Sequence, residues 1–522
     1  MRNFYFVVAA FVFTATPALD GRGQESRLAC FDQSVDQEAR IEKCTAFLSS
    51  NDLPLDTRAL ALSVRADSYV ATAQFADALR DYDEALSLVP TDIHTRIGRG
   101  KAHEQLNQFD VAISDYSQVI KTAPVNEVNV LGEAYARRGA LRIEAGDIDQ
   151  GISDLGEARR LDPRNPLPFK TRGAYFLEQG NLEQAAAELG QAVEGNAGDL
   201  ESQLMLGSVQ LKRGQSEDAA RAFTTALIVD PGNADALQGR ATAYGQMENY
   251  AAAISDYTAV LNIKGRNAAA FEGRGVALLR IGSYAAAESD FTDLLTLKPN
   301  DAGALFFRAT ARFQKGDPEG AETDFSEALA IRPADMDALV GRGISRQFSG
   351  NYDGAEDDLT AVLEKLPDAA HPLANRGYTR LMKGDIAGSI EDLSAAMELP
   401  NASAHVALWH FVATARAGNK DEAILHRAKL SLKDDQWPLP IVRYFLGELS
   451  GDEIINAALE NASLATGRLC EAYFFLGQAA LILKDKTEAE RLFRATLETN
   501  AVRFTEHAGA KAELERLSDS KR

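Results

Sequence analysis

From Ala59 onward the chain repeats itself every 34 residues, and that recurrence limits its fold more than any single motif. Pro90 and Pro124 stand one period apart, and Pro231, Pro299, Pro333 and Pro367 fall on the same spacing. One unit closes with Pro163 after a five-residue insertion, 127–131. Position eight of the first ten units is always small: Ala66, Gly100, Gly139, Gly173, Gly207, Ala241, Gly275, Ala309, Gly343 and Gly377. Position twenty is small in most of them, from Ala78 and Ala112 to Ala321 and Ala355, and position twenty-four is large, as in Tyr82, Tyr116, Phe223, Tyr257, Phe291 and Phe325. Small residues let two helices approach, the large one fills the space between them, and the closing proline stops the second helix before the next begins. The expected fold class is therefore all-α, an α-α superhelix of stacked helix-turn-helix units, in which each unit buries its apolar face only against its neighbours.

Small, small, large and proline recurring in phase over ten units, 59–403, resemble the tetratricopeptide repeat (TPR) family. An eleventh unit, 404–437, keeps Gly418 and Ala423 in phase, and a twelfth, 470–503, keeps Tyr473, Gly477, Ala489 and Phe493. Between them, 438–469 reads as a degenerate helical pair around Gly447 and Gly451. Residues 19–58 supply an N-terminal helical cap, and 504–522 a C-terminal capping helix and tail. The resemblance implies a non-catalytic solenoid that binds protein or peptide partners.

A narrower resemblance covers 437–517. Trp437-Pro438, Tyr444-Phe445-Leu446-Gly447, the run Glu471 to Gly477, Leu492-Phe493, Phe504-Thr505-Glu506-His507 and Glu513-Leu514 are similar to the C-terminus of NlpI-type bacterial envelope lipoproteins. That likeness implies a scaffold organising envelope proteases or peptidoglycan hydrolases. No cysteine directly follows the apolar N-terminal run, so lipid anchoring does not carry over.

Position seven is Arg in nine of the first ten units, and the same nine carry an acid at position twenty-three. The pairs are Arg65 with Asp81, Arg99 with Asp115, Arg138 with Asp154, Arg172 with Glu188, Arg240 with Asp256, Arg274 with Asp290, Arg308 with Asp324, Arg342 with Asp358, and Arg376 with Asp392. The unit without the Arg has Leu206 and Ala222, and later units pair His410 with His426 and Leu476 with Leu492. Keeping or dropping both partners together predicts a structural ion pair between the helices of each unit. By the same analogy His410 and His426 face each other, with His405 nearby; lacking a carboxylate or cysteine at ligand spacing, they give no reason to expect a metal.

Positions five, nine, twelve and thirteen of each first helix lie about 100° from its packing face and should line an inner groove. Units one to seven are mixed and polar there, with Asp67, Lys101, Glu104, Glu144 and Glu272. Units eight to ten instead place Phe306, Phe313, Val340, Ile344, Phe348, Tyr378, Leu381 and Met382 on this face, an apolar patch of the kind that marks a partner site. Acidic chaperone tails are not expected ligands, since Lys101 stands alone without companion Asn residues.

Arg2, an apolar run from Phe4 to Phe13 and the small residues before Ala18 fit a secretory signal peptide, 1–18, cleaved after Ala18. A run of about ten residues is too short to span a bilayer. The mature chain is then expected in the periplasm or secreted, where Cys30 and Cys44 can pair; Cys470 is left for the core. Asn401-Ala402-Ser403 and Asn461-Ala462-Ser463 match a glycosylation sequon. With 76 acids against 55 Lys and Arg, and no basic block, phosphate-driven nucleic-acid binding has no footing. No phosphate loop, serine elbow or ligand-spaced Cys/His set appears, so no enzyme and no cofactor is expected. The leading expectation is a protein-binding scaffold of the bacterial envelope; the alternative is a periplasmic assembly or secretion chaperone holding an extended client in the groove.

Overall fold

The computed structural model describes residues 30–32, 34–400, 402–433 and 436–519. The expected signal peptide and Asn401 lie outside them. Among the described residues there are 28 helices and no strand. Consecutive helices pack against each other as hairpins, and first helices open at position one of their units, as in Ile93–Gln105, Leu200–Lys212, Ala268–Arg280, Ala302–Lys315, Met336–Ser349 and Ala370–Lys383. No described helix is long and apolar enough to cross a membrane.

Two recurring local devices set these boundaries. The residue before each of seven first helices is Asp or Asn (Asp92, Asn165, Asp199, Asn233, Asn267, Asp301, Asp335), and its side chain accepts from a backbone N–H in the first turn. At position fifteen the backbone turns left-handed in all twelve units, from Ala73 (φ 59°) to Lys484 (φ 65°), and glycine fills eight of those places because it alone adopts that conformation without steric cost. The insertion 127–131 is not a separate loop. It adds a turn to the start of the helix Val128–Glu144.

Packing follows the small-against-large pattern. A Cβ at Gly207 would lie 2.7 Å from the Phe223 ring, and one at Gly275 would lie 2.8 Å from Phe291, so glycine at position eight is what admits the large residue at position twenty-four. Phe223 and Phe291 are accordingly buried.

The chain divides into two compact bodies, Met1–Met247 and Glu248–Arg522. In the first, a disulfide joins Cys30 to Cys44 of the helix Gln37–Leu48, in one core with the edge-on pair Phe31 and Phe47. Closing so short a loop stabilises by about 3 kcal/mol. In the second, four hairpins lead into a larger core around Trp409. It is built from the helices Ala404–Arg416, Leu439–Phe445, Gly451–Leu459, Ala465–Ile482, Lys486–Glu498 and Thr505–Asp519. Cys470 is buried there as a free thiol.

Candidate functional site

The position-seven arginines meet the position-twenty-three acids in a fixed geometry. In seven units (Arg65, Arg99, Arg138, Arg274, Arg308, Arg342 and Arg376) Nε and Nη2 donate to the two oxygens of one aspartate at 2.6–2.9 Å. Each aspartate is buried, so the fork supplies the hydrogen bonds that burial removed. Arg172 reaches Glu188 through one contact at 3.0 Å; the longer acid leaves Arg172 Nε and Glu188 Oε2 without hydrogen bonds. Glu188→Asp should restore the fork and stabilise by about 1 kcal/mol. A denaturant midpoint that falls instead would rule this explanation out. Arg240 lies over the Tyr244 ring, and Asp256 is buried in the second body.

The rungs also reach backward. Arg99 Nη1 donates to Asp83, Arg138 to Ser117, Arg274 to Thr258 and Arg376 to Thr360, all at position twenty-five of the preceding unit. His410 follows this second rule: its Nε2 lies 2.8 Å from Ser394 Oγ, while His426 is exposed. The expected imidazole pair is therefore not formed, because His410 keeps the arginine's backward contact rather than its contact within the hairpin. Among the described residues no His, Cys, Asp and Glu group is placed to hold a metal.

A second set of rungs escaped the sequence reading. Arg312, Arg346 and Arg380, at position eleven, donate Nη1 to Asp324, Asp358 and Asp392, and Nε to Glu288, Glu322 and Glu356 of the preceding units. Burial alone would raise the Glu288 carboxyl, but Lys315 and Arg312 hold it below its ordinary value. These residues recur at 34-residue spacing and were available as a signal.

Near units two and three the polar stretch of the groove is internally paired: Lys101 with Glu133 at 2.5 Å, and Arg137 with Glu104 and Glu133. The apolar stretch divides in two. Phe306, Phe313, Val340 and Ile344 line an open pocket of about 530 Å³, floored by Phe325 and walled by Val362, Leu366 and Pro372. Its polar groups are few, chiefly Asp337 and His371 at exposed positions, with Thr310 and Gln314. Phe306 stands edge-on to Phe325, and Phe313 edge-on to Phe348.

The other half is covered. Leu381 and Met382 are only 1% and 3% exposed, which corrects the expectation that they line an open groove. The helix Thr505–Asp519 packs against Ala370–Lys383, and Arg516 Nη2 donates to the main-chain oxygens of Leu381 and Met382. Tyr378 lies 4.8 Å from Trp409, and Phe348 packs against the same core. Arg503 donates weakly to Gln314, which places the C-terminal segment beside the pocket.

Repeated hairpins, with an open apolar pocket in the second body, define a helical solenoid. A family model described as tetratricopeptide repeat matches residues 64–127, 204–269, 239–302 and 273–336. These stretches are tetratricopeptide repeats, and repeats of this class are interaction modules that bind protein or peptide partners. Among similar solved structures is a tetratricopeptide repeat protein from Parabacteroides merdae, at 20% identity and TM-score 0.36, covering 47% of this chain and 98% of that one. Another is YrrB, described as a TPR protein with an unusual peptide-binding site, at 22% identity and TM-score 0.34, covering 36% and 97%. The Cut9–Hcn1 hetero-tetramer structure of the APC/C covers 75% and 96% at 15% identity and TM-score 0.38.

Proposed function

We propose that this protein is an exported, non-enzymatic scaffold of the bacterial envelope that holds partners by an extended segment with an apolar anchor in the pocket of units eight and nine. The observation carrying this reading is the pocket itself: four large apolar side chains face an opening that repeat packing leaves unfilled. Its volume lies within the roughly 300–1,000 Å³ of ligand pockets. Support for export comes from the apolar N-terminal run and from the Cys30–Cys44 disulfide, which persists in oxidising compartments. The C-terminal likeness to envelope scaffolds suggests proteases or peptidoglycan hydrolases as the partners it organises.

The chaperone alternative draws on the same pocket, whose few polar groups would select apolar segments with little regard to sequence. Suppression of client aggregation would favour it, whereas co-purification with peptidoglycan hydrolases favours the scaffold. In either case Phe306→Ala combined with Ile344→Asp should weaken binding of apolar extended peptides by about thirtyfold, an anchor's worth of contact energy, with helicity unchanged. Undiminished peptide binding by that variant, followed by calorimetry, would remove the pocket as the site.

A further inference from the structure

The ladder aspartates described above are buried against arginine, and Glu513 is buried against Arg416 and Arg516. Two other acids break that pattern. Glu471 and Glu506 are 6% and 5% exposed, and among the described residues neither has an arginine or lysine partner. Glu506 accepts from the Trp409 indole at 3.0 Å; Glu471 accepts from the Trp437 indole at 2.9 Å and lies 2.8 Å from His405 Nε2.

We propose that Glu471, Glu506 and His405 form a proton-operated latch that holds the helix Thr505–Asp519 over the end of the groove, and that losing its proton uncovers Leu381, Met382 and Phe348 to extend the binding surface. Two buried carboxylates beside one imidazole cannot all be charged without leaving net negative charge in an apolar core. The groups facing Glu506 are Glu471 and Cys470 from Ala465–Ile482, His405 and Trp409 from Ala404–Arg416, and Tyr378 from Ala370–Lys383. Only His405 can supply positive charge, and it already serves Glu471. Burial, then the neighbouring Glu471, push the Glu506 carboxyl up to about 7. For His405, burial opposes charge, but the Glu471 bond prevails and raises it above its ordinary value.

A carboxyl whose folded pKa is raised binds its proton more tightly when the helix is docked. The docked state therefore loses stability as pH rises from about 4.5 to about 7, and His405, held charged in the docked state, adds its own loss as pH rises past its folded value. The geometry joins the latch to the groove, because Glu506 opens the same helix whose Arg516 holds the Leu381 and Met382 carbonyls. Only the last step, a longer binding surface, rests on the reading of the groove as the partner site.

Hydrogen exchange of the full chain, corrected for intrinsic rates, tests the latch. Opening of 505–519 should increase on the order of fiftyfold between pH 5 and pH 8, and Glu506→Gln, which keeps an acceptor for Trp409, should flatten that response. Should this variant fail to dock the helix, Glu471→Gln, which removes the like-charged neighbour, should shrink the response. An absent pH response, or an equal one in wild type and Glu506→Gln, overturns the latch. Binding of an apolar peptide at pH 5 and pH 8, with Ile344→Asp as control, separates the two readings. A pH response without peptide binding supports the latch and removes the groove; peptide binding at both values without a pH response does the reverse.

Discussion

Asp358→Ala should destabilise its hairpin and the one before it by about 3–5 kcal/mol, the cost of stripping a buried ion pair of one partner. Asp358 accepts Nε and Nη2 of Arg342 and Nη1 of Arg346, so its loss deprives two partly buried guanidinium groups at once. Asp290 serves Arg274 in the same fork but has no position-eleven arginine, because that place in its unit is Leu278. Asp290→Ala should therefore fall at the low end of the range, and adding Arg274→Ala should recover part of the loss. Because cooperativity in repeat arrays can break down, exchange by segment is the better reading than one global midpoint. Equal losses at Asp358 and Asp290 would mean that the position-eleven arginines contribute nothing.

The second large effect is expected at Trp409, which is 1% exposed and lies within 5 Å of the Tyr378 and Phe474 rings. Trp409→Ala opens a large cavity and removes the donor of buried Glu506, together costing roughly 5 kcal/mol. Gly509, whose Cβ would sit 3.2 Å from the Trp409 ring, shows how closely the C-terminal helix rests on it. Exchange should rise across 370–519 and stay near wild type in 55–230, since each repeat contacts mainly its neighbours. A uniform rise through the whole chain would contradict that localisation.

The hairpin pattern was legible because it repeats: Gly275 against Phe291 states for one unit what ten units make together, and Arg274 against Asp290 what nine of them do. Position-fifteen glycines, position-thirty-four caps and the Arg312 to Glu288 rungs carried the same signal and are readable in the same way. What the period does not encode is contact between distant segments. Arg516 and Leu381 are 135 residues apart, and nothing in the in-phase positions of unit ten says that a later helix will cover Leu381 and Met382. The same reason hid the Glu471, His405 and Glu506 cluster, whose members come from three helices outside the ten regular units. His410 misled for another reason: an arginine spans two contacts that an imidazole is too short to span, and it kept the backward one to Ser394.

The pocket, by contrast, needed both levels. Periodicity placed Phe306, Phe313, Val340 and Ile344 on one face, and only packing separated them from Leu381 and Met382, which share that face and are closed off. How much of that face stays open therefore depends on where the array ends as much as on the repeat itself.

Partner binding through units eight and nine is tested most directly by a photo-crosslinking side chain placed, in turn, at Val340 and at Glu272 in the native cell. Both are position five of a first helix, but only Val340 lines the pocket. Adducts at Val340 that map to an apolar segment of the partner, disappear with Phe306→Ala and are absent at Glu272 are the predicted result. Adducts of equal yield at both positions, or adducts at Val340 that survive Phe306→Ala combined with Ile344→Asp, would contradict it.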